Sequence, residues 1–106
     1  MITFSMRIVV PPEKRGEVLE ALRLVRGPTR VLPGCINFQV YQEVDDANAL
    51  ILLEEWKSRA ELDNHIRSED FRKILFMMDL SSEPPVIQIN AVSRTGGIEV
   101  IQAARA

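Results

Sequence analysis

The sequence has 106 residues, 46% of them hydrophobic and 26% charged, with 13 Lys and Arg against 15 Asp and Glu for a net charge of −2. A chain of that length and apolar content forms one domain, taken as residues 1–106, and builds a single core without staples. The charge balance argues against a nucleic-acid or anionic-membrane partner, and a single cysteine, Cys35, rules out an internal disulfide and a cysteine-rich zinc site.

Met1 to Val10 lacks a basic leader ahead of an unbroken apolar run, and Ala49 to Leu53 falls far short of the ~20 residues a membrane helix requires. A soluble, cytoplasmic protein is therefore expected.

Ile2, Phe4, Met6, Ile8 and Val10 alternate with Thr3, Ser5, Arg7 and Val9, the period of a half-buried strand, and Pro11 and Pro12 end it. Val18, Leu22 and Val25 recur at helical spacing, with Glu13 and Glu17 early and Arg23 and Arg26 late to suit the helix dipole. Gly27 and Pro28 are expected to stop this helix. After a turn at Pro33 and Gly34, Ile36, Phe38 and Val40 alternate with Cys35, Asn37, Gln39 and Tyr41 as a second strand. Ala49 to Trp56 carries Leu50, Leu52, Glu54 and Trp56 on one face and Ile51, Leu53 and Glu55 on the other, so a central or interface strand is expected.

Ser58 and Glu61 form a capping box, with hydroxyl and carboxylate each satisfying a backbone N–H, and Ser68 ahead of Glu69 and Asp70 supplies a second cap. The helix from Ser58 is thus expected to bend or restart before Phe71, Ile74, Leu75 and Met78, and to end near Leu80. Val86 to Val92 is a fourth strand, and Ile98 to Ala106, within an extension of residues 93–106, fits either a strand or a short helix, with the helix preferred. The order β-α-β-β-α-β is the ferredoxin-like, α+β pattern: an antiparallel sheet with both helices on one face. Because the third strand is apolar on both faces, the open face is expected to pack against a second copy as a homodimer.

His65 is the only histidine, and its unperturbed pKa near ~6.5 suits proton transfer at neutral pH. With Leu62 and Ile66 as the inward stripe, it sits at the stripe's edge, where it can line a pocket or simply face solvent. Trp56, nine positions earlier, offers a flat wall and an indole N–H, or is a core residue. Asn37 and Tyr41 carry polar groups that suit a ligand or a partner chain, and Arg94 could hold an anionic oxygen. Cys35 has no basic sequence neighbour to lower its pKa and reads as a small packed residue. No phosphate loop, nucleotide fingerprint or metal-ligand spacing is present.

Pro33-Gly34-Cys35, Phe38, Tyr41-Gln42, Glu54-Glu55-Trp56-Lys57-Ser58, Leu62, His65, Ser68 and Phe71 together resemble the antibiotic biosynthesis monooxygenase (ABM) domain, most specifically between Glu54 and Phe71. The resemblance implies a dimeric α/β barrel of ferredoxin-like protomers. It further implies oxidation of a small aromatic quinol or polyphenol by molecular oxygen with no cofactor, His65 and Trp56 occupying the matching catalytic positions. Asn37, Tyr41 and Arg94 are assigned to substrate binding from residue type alone. Related haem-degrading enzymes carry a haem-ligating histidine ten residues beyond the place of His65, where this chain has Leu75. The same fold also hosts isomerases and non-catalytic small-molecule-binding or stress-response modules, so these are the alternatives.

Overall fold

The structure is a computed structural model describing all 106 residues. Its elements are β1 (Ile2–Val9), α1 (Arg15–Arg30), β2 (Cys35–Gln42), β3 (Ala49–Trp56), α2 (Arg59–Ile66), α3 (Glu69–Asp79), β4 (Val86–Ala91) and α4 (Ile98–Ala104). The four strands form one antiparallel sheet in the order β2-β3-β1-β4, so β3 and β1 are central, as their sequences require. This is the expected α+β, ferredoxin-like arrangement.

One face of the sheet is dry across β1, β3 and Phe38 of β2, while Ile87 and Ile89 of β4, which pair with Met6 and Phe4 on that face, remain exposed. Phe4, Met6 and Ile8 from β1, Phe38 from β2, and Leu50, Leu52 and Trp56 from β3 meet Val18, Leu22 and Val25 of α1, Leu62 of α2, and Phe71, Ile74 and Met77 of α3 in one buried cluster. Each such side chain contributes about 1.5–3 kcal/mol by leaving water, and the apolar periodicities of strand and helix exist to bring these two sets together. The other face presents rows that follow the strand register: Asn37, Glu55, Thr3 and Asn90, then Gln39, Leu53, Ser5 and Gln88, then Tyr41, Ile51, Arg7 and Val86.

Three local features differ from the sequence expectation. The first helix does not stop at Gly27 and Pro28 but runs on to Arg30. Pro28 removes only the hydrogen bond to the carbonyl of Leu24, a residue on the exposed side where water can replace the donor. One residue later, the buried Thr29 hydroxyl donates to the Val25 carbonyl at 2.7 Å and ties the last turn down.

Ile36 does not point inward with Phe38. A bulge between Cys35 and Asn37 makes Cys35 the partner of Trp56 and Asn37 the partner of Glu55, so Cys35 joins the core side and Ile36 is left 47% exposed. An extra residue in one strand shifts the alternation by one, which strict period-two reading cannot anticipate. The third difference, at the Ser58 cap, belongs to the site.

Beyond β4 every residue from Ser93 to Ala106 is exposed, including Ile98, Val100 and Ile101 of α4. The radius of gyration, 15.3 Å, exceeds the roughly 13 Å expected of a compact chain of this length, because this arm projects from the body. No helix is long and apolar enough to cross a membrane.

Candidate functional site

Strand alternation places Glu54 between Leu52 and Trp56 on the dry face of β3, so a carboxylate is carried into the core with no access to water. Across from it, α2 is held to two turns by serines at both ends. Ser58 Oγ accepts from the Glu61 N–H at 3.3 Å, and Ser68 Oγ donates to the His65 carbonyl at 2.6 Å while accepting from the Phe71 N–H at 3.3 Å. Ser68 therefore ends α2 and starts α3, and the residue it fixes is His65.

The His65 ring lies on Trp56, with centroids 5.0 Å apart and planes 27° from parallel, while Phe71 meets it edge-on at 5.2 Å. Trp56 Nε1 donates to Glu54 Oε1 at 2.9 Å, and His65 Nε2 comes within 3.2 Å of the same oxygen. The imidazole contact is close but out of hydrogen-bond alignment, so it is charge proximity rather than a formed bond. Both side chains of the pair are fully buried. Glu54 Oε2 and His65 Nδ1 have no hydrogen-bond partner at all. Orphaned polar atoms in a dry interior are costly, and a cluster of them singles this place out as the candidate site.

A cavity of about 140 Å³ opens at this point, with Trp56 and His65 as one wall, Pro33 from the turn before β2 as another, and Glu61, Asn64 and Ser68 as its polar rim. Two larger hollows of about 280 Å³ each lie elsewhere, one an apolar groove where Val18 and Ala21 of α1 face Phe76 and Met77 of α3, the other beside Arg23 and Arg26 at the β2 edge. Glu17 and Lys73 line the first and Tyr41 the second, but only the smaller cavity reaches the histidine and the buried polar cluster, which makes it the candidate site.

Gly34 shapes the cavity's outer edge. It is the one residue with positive φ, at 84°, and a Cβ there would sit 1.2 Å from Glu61 Oε2. The Glu61 carboxylate uses that room. Instead of reaching back to the cap, as the sequence pattern suggests, it lies against Gly34, and Oε2 is buried without a partner. Only half of the capping box forms.

Residues 1–75 match the family model of Antibiotic biosynthesis monooxygenase, a span that holds the complete Glu54–Phe71 segment. The chain belongs to this family. Among curated proteins, the ABM chain is 30% identical over 95 residues to the uncharacterised protein sll1783 of Synechocystis, covering 89% of itself and 65% of that protein. It thus spans just under two thirds of that relative's length. It is 29% identical over 72 residues, 68% of itself, to YcnE of Bacillus subtilis, a protein provisionally named a monooxygenase, of which it covers 76%. A crystal structure of a conserved protein from Methanosarcina mazei superposes with a TM-score of 0.77 at 33% identity, over 84% of this chain and 89% of that one.

Within this ABM domain, Trp56 and His65 come together as their motif spacing implies, and His65 is buried rather than solvent-facing. Asn37 and Tyr41 do not join them. They stand on the opposite face of the sheet, where Asn37 Nδ2 donates to Glu55 Oε1 at 3.2 Å and Tyr41 is 50% exposed. Arg94 is exposed in the segment after β4. Sequence reasoning missed Glu54, although a charged residue in phase with Leu50, Leu52 and Trp56 was a usable signal, and it read Glu61 only as a capping residue.

Cys35, opposite Trp56 in the β2–β3 ladder, has its thiol pKa pushed up by burial and by the nearby charge of Glu54.

Proposed function

We propose that this protein is a monooxygenase that oxidises a small aromatic quinol or polyphenol with molecular oxygen and no cofactor, in the cavity between Trp56 and His65. The observation that carries this reading is the buried His65, stacked on an aromatic wall and flanked by the Glu54 carboxylate. His65 takes the phenolic proton, Glu54 stabilises the imidazolium so formed, and Trp56 holds the ring while keeping Glu54 oriented. The electron-rich phenolate carbon then reduces oxygen directly. A C–O bond forms to give a peroxide, which His65 protonates. Loss of the C–H proton and cleavage of the O–O bond release water and leave a quinone carbonyl. One oxygen atom is retained and the other leaves as water. A dry site favours this sequence because the anion is held by fixed groups rather than by solvent.

The test is oxygen uptake by metal-stripped protein against a panel of hydroquinones, with His65→Ala run beside the wild type. Uptake reduced about 10²–10⁴-fold in the variant is expected for loss of a general base. Equal uptake in the two proteins, or none in either, refutes the assignment.

We further propose that the protein works as a homodimer through the open sheet face. Ile51 and Leu53 lie on that face, and α4, seven residues long and wholly exposed, is too short to hold its helix without a docking surface. Leu53→Glu is expected to shift the mass measured by light scattering from dimer to monomer, and a wild-type monomer at micromolar concentration would refute the proposal.

A further inference from the structure

Glu61 occupies an unusual position for a capping residue. Ser58 Oγ already accepts the Glu61 N–H, yet the Glu61 side chain makes no return bond to the cap. It lies instead over Gly34, in space that only a residue without a Cβ leaves open, with Oε2 buried, unpartnered and on the rim of the cavity that His65 and Trp56 wall. No Lys, Arg or His side chain lies within ion-pairing distance of it. A carboxylate oxygen accepts hydrogen bonds and never donates while ionised, so the missing partner is a donor.

The imidazole of His65 and the carboxylate of Glu61 thus both line the cavity, beside Asn64 and Ser68, and no Lys or Arg lines it to attract an anion. At about 140 Å³ it has the scale of a void that holds a single benzene ring.

Building on the reading of this cavity as the substrate site, we infer that Glu61 is a specificity-determining residue. It accepts a hydrogen bond from a second substrate hydroxyl, so that the site selects an uncharged one-ring aromatic diol over a phenol with one hydroxyl and over a phenol bearing a carboxylate. The diol gives one O–H to His65 and the other to Glu61. A monophenol leaves the Glu61 oxygen unpartnered, and an aromatic acid sets a second negative charge against it. Sites built to bond a substrate hydroxyl reject the analogue lacking it because their own buried group is then left bare.

The experiment is an anaerobic titration of hydroquinone, phenol and 4-hydroxybenzoate, read by the fluorescence of Trp56, the only tryptophan, which faces the cavity. Wild type is expected to bind hydroquinone about tenfold or more tightly than phenol, and 4-hydroxybenzoate more weakly than either. In Glu61→Leu hydroquinone falls to the level of phenol, and 4-hydroxybenzoate gains. In Glu61→Gln, which retains an acceptor and the Ser58 cap without the charge, hydroquinone keeps most of its advantage while 4-hydroxybenzoate again gains. The Gln variant decides the question if the Leu variant does not fold. The inference is overturned by equal binding of hydroquinone and phenol to wild type, by an unchanged ligand order in the variants, or by the absence of any saturable response to hydroquinone. Because no oxygen is consumed in this assay, selective binding without later turnover refutes the oxygenase reading alone. Turnover that depends on His65 with an unchanged ligand order in the Glu61 variants refutes this inference alone.

Discussion

Replacing Glu54 with Ala is expected to lower the unfolding free energy by about 3–5 kcal/mol, because it removes one member of a buried polar cluster and strands the others. Trp56 Nε1 loses its only acceptor, and His65 loses the carboxylate 3.2 Å away, with both rings almost wholly buried. Glu54→Gln separates structure from chemistry. The amide oxygen still accepts from the indole and the volume is kept, so urea unfolding should show a loss well below that of the Ala variant. Oxygen uptake should nevertheless fall by about 10–100-fold, since the imidazolium formed at His65 would no longer face a full negative charge. Equal stability of the Ala variant and wild type in urea would refute the packing account, and full activity of the Gln variant would refute the electrostatic one.

Trp56→Ala is the second large effect, with an expected cost of about 3–5 kcal/mol in chemical denaturation. The side chain is fully buried at the end of β3, pairs with both Ile2 and Cys35 across the sheet, and carries the His65 ring on its face. Its removal opens a void under the His65 ring, the proposed general base. Trp56→Phe refills most of that void but has no N–H, so Glu54 Oε1 is left with only the imidazole beside it. The Phe variant is therefore expected to recover most of the stability and little of the activity. A Phe variant with wild-type oxygen uptake would show that the indole N–H has no part in setting Glu54.

The alternation of β1 and β3 and the serine caps at Ser58 and Ser68 were readable in the chain, because each depends on spacing within a few residues. Those caps set where α2 ends, and so the place of His65 along the fold. Its depth was not readable. Helical spacing gives an angle around the axis, whereas burial depends on what faces that angle, here Trp56 and Glu54 from a strand. The bulge at Ile36 was hidden for a related reason: β2 and β3 settle their register by packing, and one strand's pattern carries no record of an extra residue in the pair. Asn37 and Tyr41 had the right chemistry for a ligand, but residue type does not reveal which face of a sheet holds the cavity. The departure of Glu61 from its cap became visible only with the space above Gly34, where two segments distant in sequence meet.

Under the proposed quinol oxidation, the state of Cys35 bears on how the protein would withstand its product. A quinone released from the cavity would be an electrophile able to arylate thiolates, and such an adduct on β2 would press against Trp56 from the adjoining strand. Thiols react through their ionised form, and burial together with the Glu54 charge raises this thiol's pKa and so disfavours that form. In that scheme the carboxylate proposed to steady the cation at His65 would also quiet this thiol, so one charge would serve both the reaction and the protection of the protein from its product.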